Sequence, residues 1–187
     1  GVNLNFTPQL INDVILIKPT LYEDYRGYFA ETYRKDLFED MLGYKVDFIQ
    51  DNESKSIKGV LRGLHYQLPP FAQAKLVRVV EGRVLDVAVD IRKSSPTFGS
   101  HIAVELTQDN NYQLFIPSGF AHGYVVLSDS ATFSYKVDNY YARKYDRGIA
   151  FNDPKLRVDW YLPPTELILS DKDKLHSNLK DIHDLFE

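Results

Sequence analysis

From Val46 to about Asn139 the chain runs through short apolar or alternating stretches divided by turn residues, with no helical pattern between them. Short strands at regular spacing without intervening helices build antiparallel sandwiches or barrels, not parallel sheets with helical crossovers. The strands expected are Val46 to Gln50, Val60 to Gln67, Lys75 to Val80, Arg83 to Arg92, Ile102 to Leu106, Tyr112 to Ile116, His122 to Leu127 and Ala131 to Val137. Turns at Glu81-Gly82, Ser94 to Pro96, Gln108 to Asn111, Pro117 to Gly119 and Ser128 to Ser130 separate them. In Arg83 to Arg92, side chains Leu85, Val87, Val89 and Ile91 share one face, and Val84, Asp86, Ala88 and Asp90 the other. Upstream, Asp13 to Pro19 reads as an edge or entry strand because it ends in proline. Asp24 to Gly27 reads as a turn, and Tyr28 to Tyr33 as a strand.

Two segments carry helical signals. In Asp36 to Gly43, Asp36 can cap, Glu39 has the capping-box position and Gly43 can stop the helix. Leu175, Leu179, Ile182 and Phe186 recur at helical spacing and predict a helix over Asp173 to Phe186. No repeat or linker interrupts the chain, so the expectation is one mainly β domain over residues 1–187 with a few short peripheral helices, one of them C-terminal.

A chain of 187 residues can bury a core without covalent staples. The absence of cysteine excludes disulfides, thiolate metal sites and a cysteine nucleophile, and fits a reducing cytoplasm. No apolar run approaches the roughly 18 residues of a membrane span, and Gly1 to Leu10 lacks the basic start and apolar core of a signal peptide. The expectation is a cytoplasmic protein with no membrane partner. The formal charge of −4 shows no basic footprint for nucleic acid, so an anionic ligand requires a local cluster of Lys and Arg.

Val60 to Val80 supplies such a cluster. It brings Arg62, His65 and Lys75 into two strand-like runs joined by the Pro69-Pro70 turn, a grouping that suggests an anion site with a base inside it. In a regular strand Gly63, His65 and Gln67 share one face, and Leu64, Tyr66 and Leu68 the other. His65 is therefore either a satisfied structural histidine or a base in a wet interior, where its ordinary titration range suits proton transfer. Lys75 alternates with Val77 and Val79, and either snorkels to solvent or holds a developing oxyanion. Tyr135 shares a face with Phe133 and Val137, the pattern of a core aromatic, while Tyr140 and Tyr141 at the strand end can stack on a planar ring. Ser170 to Asp173 is either a helix cap or, through Asp173, a carboxylate that orients a histidine. Pro117 to His122 has the PxGxxH spacing of metal-binding cupin barrels. The matching half of such a site needs two histidines one residue apart and a glutamate; His65-Tyr66-Gln67 is the best candidate and no glutamate follows it, which argues against a catalytic metal and leaves His122 for substrate.

Seven segments in order resemble the dTDP-4-dehydrorhamnose 3,5-epimerase family: VLRGLHYQ (Val60 to Gln67), AKLVR (Ala74 to Arg78), DVAVDIR (Asp86 to Arg92), SPTFG (Ser95 to Gly99), IPSGFAHG (Ile116 to Gly123), FSYK (Phe133 to Lys136) and LSDKD (Leu169 to Asp173). Each is weak alone; seven in family order across nearly the whole chain are specific. The resemblance implies a cupin-type antiparallel jelly-roll barrel, a homodimer, no metal, no redox cofactor and a dTDP-4-keto-6-deoxy sugar as substrate. It implies His65 as base, Asp173 as its dyad partner, Tyr135 as proton donor and Lys75 at the C4 oxygen. It places Arg26, Glu31, Gln50, Asn52, Arg62, His122, Asp146 and Lys172 on substrate, with Tyr141 stacking on thymine. Phe151 and Tyr161 stand where Trp and Pro are expected, and read as packing residues.

Overall fold

The computed structural model describes residues 4–187, so the opening three residues of the segment Gly1 to Leu10 lie outside the description. In chain order its regular elements are β1 (Leu4–Pro8), β2 (Ile15–Pro19), β3 (Tyr22–Asp24), β4 (Gly27–Phe29), α1 (Lys35–Leu42), β5 (Gln50–Ile57), β6 (Leu61–Gln67) and β7 (Lys75–Glu81). There follow β8 (Arg83–Asp90), β9 (His101–Thr107), β10 (Gln113–Ile116), β11 (Phe120–Val126), β12 (Ser130–Val137), β13 (Asp146–Gly148) and α2 (Asp171–Lys174), with three short 3-10 turns. Strand pairing is antiparallel, apart from isolated parallel bridges at Val60–Ile168 and Arg92–Phe186. One sheet has the order β1-β2-β10-β7-β12-β5, the other β13-β6-β11-β8-β9, and β3 with β4 forms a separate hairpin. Among the described residues no helix is long and apolar enough to cross a membrane.

The two faces of β8 explain the layering. Val84 and Ala88 join Val77, Val79, Leu114, Phe133, Tyr124 and others in a core between the two large sheets. Leu85, Val87, Val89 and Ile91 face the other way, under Ile149, Leu156, Trp160 and Leu179 from the C-terminal third. A strand apolar on both faces thus separates two cores, which is why β8 is buried at nearly every position. The outer face of the first sheet is covered by α1, whose Phe38 packs with Ile15, Ile17, Leu76 and Phe115. Burying such side chains is worth roughly 1.5–3 kcal/mol each.

Several sequence expectations are corrected. Val46 to Gln50 is not a strand: Val46 is buried against the helix, its N–H donating to Glu39 Oε2 at 2.9 Å, and the strand is β5, starting at Gln50. β5 (QDNESKSI) is a polar edge strand paired with β12 along its whole length, so hydrophobic alternation gives no sign of it. Glu39 is consequently not a capping-box residue, and Asp36 lies inside the first turn of a helix whose N-cap is Arg34. Gly43 does end it, left-handed at φ 78° with its N–H on Glu39 O. Asp13 to Pro19 is not an edge: β2 lies between β1 and β10, and Pro19 is tolerated because β10 pairs only with Ile15 to Ile17. The strand expected over Tyr28 to Tyr33 shrinks to β4, while the turn at Asp24 to Gly27 holds.

The helix expected over Asp173 to Phe186 is the largest miss. Only α2 is helical there, apart from a single 3-10 turn at Leu179–Asp181. Leu175 is 82% exposed, while Leu179, Ile182, Leu185 and Phe186 lie along the outer core. Long-range partners outcompete helical bonds: Ala150 N–H donates to Ser177 O, Leu179 N–H to Asp153 Oδ2 and Lys93 N–H to Phe186 O. Phe151 packs in that core as expected, whereas Tyr161 is exposed at φ 68°.

Candidate active site

His65 leaves β6 toward the space between the sheets, because Leu64, Tyr66 and Leu68 occupy the outer core on the opposite face. At Gly63 the neighbouring strand β11 comes so close that a Cβ would lie 2.6 Å from Gly123 Cα, at a φ of +142° suited to glycine. The β6–β11 register shifts next to this approach, between His122 and Tyr124. Gln67, the third residue on this face, is structural: its amide donates to Phe71 O and Tyr140 O and accepts from Ala142 N–H.

His65 Nε2 lies 2.6 Å from Asp173 Oδ1. Both readings of Ser170 to Asp173 hold together. Ser170 Oγ caps α2 by accepting the Asp173 N–H at 3.1 Å, and that cap aims the Asp173 carboxylate at His65. Gly63 N–H donates to Asp173 Oδ2 at 3.2 Å. Burial raises the Asp173 carboxyl, but hydrogen bonds from His176, His65 and Gly63 outweigh it and hold the group well below the usual carboxylate range. His176 Nε2, 3.1 Å from the same Oδ1, was not foreseen in the sequence; nothing in the residue spacing links it to His65.

The opposite wall comes from the other sheet. Lys75 on β7 and Tyr135 on β12 line the same cavity of about 540 Å³, with Lys75 Nζ 5.7 Å from the Tyr135 ring centre. Lys75 is partly buried, and desolvation lowers it to about 8 against the pull of Asp86 and Asp146. It does not snorkel free of the interior. Arg62, Asn52, His122, Lys172 and Asp173 share this cavity. Arg62 donates to Ser56 Oγ at 3.0 Å, and Lys172 pairs with Asp146. Gln50 Nε2 donates to Asn52 Oδ1 at 2.8 Å, and the Tyr141 N–H and hydroxyl reach Gln50 and Asp146 at 3.4 Å, a chain of contacts leading outward from the cavity. The apolar wall is Tyr124 stacked on Phe133, ring centres 3.9 Å apart, with the Tyr124 hydroxyl 2.6 Å from Ser54 Oγ.

His122 is buried and bonded through Nε2 to Asp86 Oδ1 at 2.6 Å. Asp86, on the inner face of β8, is a second residue not singled out from the sequence, although the alternation of β8 does put a carboxylate among apolar neighbours. Its Oδ2 has no hydrogen-bond partner among the described residues. Burial pushes this carboxyl up and the His122 imidazole down, each opposed by the attraction between them. Two imidazole–carboxylate pairs therefore lie side by side, since His65 and His122 are directly opposite on neighbouring strands. As for metals, His65, Asp173 and His176 place one ligand-capable atom each within 4.8 Å of one another, already joined by hydrogen bonds.

Arg26 and Glu31 are not brought to this cavity. Arg26 is on the tip of the β3–β4 hairpin, paired with Asp24 in solvent, and Glu31 lies 3.5 Å from Arg34.

This arrangement places an imidazole, an ammonium and a phenol around one pocket. Residues 8–181 match the family model described as dTDP-4-dehydrorhamnose 3,5-epimerase. The chain belongs to this epimerase family. It is 53% identical over 170 residues to the dTDP-4-dehydrorhamnose 3,5-epimerase of Shigella flexneri, covering 91% of this chain and 93% of that one. The solved epimerase of Legionella pneumophila, in complex with dTDP-4-keto-L-rhamnose, superposes with a TM-score of 0.94 at 44% identity, over 98% of both chains. A 3′-monoepimerase from Streptomyces bikiniensis, in complex with dTDP-quinovose, is also similar, with a TM-score of 0.86 at 32% identity over 92% of this chain and 87% of that one.

Proposed function

We propose that this epimerase-family protein inverts C3 and C5 of dTDP-4-dehydro-6-deoxy-D-glucose to give dTDP-4-dehydro-L-rhamnose, a step in dTDP-L-rhamnose biosynthesis. The observation that carries the reading is the convergence on one cavity of His65, bonded to Asp173, and of Lys75 and Tyr135 from the opposite sheet. The substrate is a 4-keto sugar, so the protons on C3 and C5 both lie next to the carbonyl. Removing either yields an enolate whose charge collects on the C4 oxygen. Lys75 stabilises that charge electrostatically. His65 is the base for both positions, its ring oriented by Asp173. Tyr135, across the cavity, returns the proton from the other face, and that return from the opposite side is what inverts the centre. Proton removal and return leave the oxidation level unchanged, so no redox cofactor enters. Arg62, Lys172 and His122 receive the anionic substrate together with Asn52 and Gln50, and Tyr141 and Asp146 form the nucleotide rim.

The experiment is exchange in D₂O with the 4-keto sugar nucleotide, followed by NMR at C3 and C5. Label at both positions is expected. Inversion at C3 alone is the second reading, favoured by the likeness to the 3′-monoepimerase, and would show as label at C3 only. Tyr135→Phe is expected to keep much of the exchange while inversion falls about 10²–10⁴-fold, since removal and return use different groups. Equal loss of both would end this division of labour.

We read the two sheets as the walls of one cupin-type jelly-roll barrel, a single domain working in the cytoplasm. Support comes from a core that draws on both inner faces and from a family match that spans most of the chain. The functional unit is a homodimer. The β3–β4 hairpin exposes Tyr25 at 98% together with Tyr28 and Phe29, more aromatic surface than a solvent-facing turn needs. Docked on a second copy, it would carry Arg26 and Glu31 into the partner's cavity, a role that neither fills in its own chain. Mixing His65→Asn with Arg26→Ala subunits is expected to give activity above the sum of the separate variants, because one site of each mixed dimer is whole. Simple additivity would place Arg26 outside the partner's site.

A further inference from the structure

The Asp173 carboxylate serves two imidazoles, not one. Its Oδ1 lies 2.6 Å from His65 Nε2 and 3.1 Å from His176 Nε2, and its Oδ2 takes the Gly63 N–H. An ionised carboxylate only accepts, so both rings present Nε2–H to the same oxygen. The rings meet edge to face, centres 6.0 Å apart and planes at 80°.

The place for His176 is built into the fold. Its side chain is 12% exposed. It rests on Gly148, where a Cβ would lie 2.3 Å from His176 Nε2, and Gly148 is the direct cross-strand partner of His65. The hydrogen bond from Ala150 N–H to Ser177 O holds the segment behind it.

We propose that His176 is a positioning residue for proton transfer at His65: by sharing Asp173 Oδ1 it fixes the carboxylate and divides its charge between two rings. This rests on the reading of His65 as the base. A carboxylate with one imidazole partner lends that partner its full attraction, which favours the protonated ring and idles the base as pH falls. Divided between two donors, the same carboxylate orients His65 while its negative charge is shared with His176. The other charged or titratable groups around the pair are Glu53 on β5, Arg62 on β6, Lys75 on β7, Asp86 on β8, His122 and Tyr124 on β11, Tyr135 on β12, Asp146 on β13 and Lys172 on α2. All remain in variants of His176 and cancel in the comparison.

The test uses the intact protein and three variants. His176→Phe and His176→Leu remove the donor; His176→Gln keeps one. The ring signals of His65 are followed by NMR against pH without ligand, and kcat/KM for C3 exchange is measured over the same range. In the Phe and Leu variants the midpoint of the His65 ring titration is expected to move up by about half to one pH unit, as for loss of a competing charge-assisted hydrogen bond. The acid limb of kcat/KM is expected to move with it, and the Gln variant to stay near wild type. A midpoint unmoved in both donor-free variants overturns the proposal and makes His176 a space-filler over Gly148. A midpoint that moves while the acid limb stays put overturns His65 as the base, and with it the role of His176 in proton transfer, although the shared carboxylate stands.

Discussion

Replacing His65 with asparagine is expected to abolish deuterium incorporation at both C3 and C5, a loss of about 10²–10⁴-fold or more. Asparagine retains polarity but has no nitrogen lone pair to take a proton. One loss at two carbons follows from the proposed mechanism, in which C3 and C5 flank the same carbonyl and His65 is the base for both. Binding of dTDP, measured by calorimetry, is expected to persist, since Arg62 and Lys172, which line the cavity and are proposed to receive the anion, are untouched. Exchange surviving at either carbon would mean another base. His122 is a poor substitute, because it is buried and committed to Asp86.

Lys75→Met is expected to cost about 10²–10³-fold in turnover, the usual effect of deleting one group that meets an oxyanion. Exchange at both carbons should fall together, because both enolates share the C4 oxygen. The pH dependence gives a second check with a definite sign. Desolvation brings the Lys75 ammonium down to about 8, so its charge is present below that pH and lost as pH rises through it. The alkaline limb of kcat/KM in the wild type should therefore fall near pH 8. Lys75→Arg stays charged throughout the accessible range, so that limb should disappear in the variant even if its plateau is lower. A wild-type profile flat to pH 10 would overturn the lowered titration of Lys75, and undiminished turnover in Lys75→Met would remove Lys75 from the role.

Inner-face strands were legible because burial on one or both faces writes itself into alternation. Leu85, Val87, Val89 and Ile91 lie on one side of β8, and Val84 and Ala88 on the other, as their order requires. The face of β6 that carries His65 was legible for the same reason. β5 was not, because an edge strand facing a wet cavity has a polar pattern with no hydrophobic period. The C-terminal segment misled in the opposite sense. Its leucines and isoleucine are spaced like a helix, yet hydrogen-bond partners in distant loops hold it against the outer core. Arg26 and Glu31, legible only through family resemblance, lie away from this chain's cavity.

The amino-acid order by itself determined that the chain is mainly antiparallel β, that it resembles nucleotide-sugar epimerases, and that His65 shares a strand face with Gly63 and Gln67. Those properties live in local alternation and in motifs along the chain. Family resemblance implied Asp173 as the partner of His65, 108 positions away, but only the tertiary structure decided that Lys75 faces the cavity, that His176 shares the same oxygen and that Asp86 holds His122 across 36 positions. A hydrogen bond between distant residues depends on strand register and loop closure, which no local periodicity encodes.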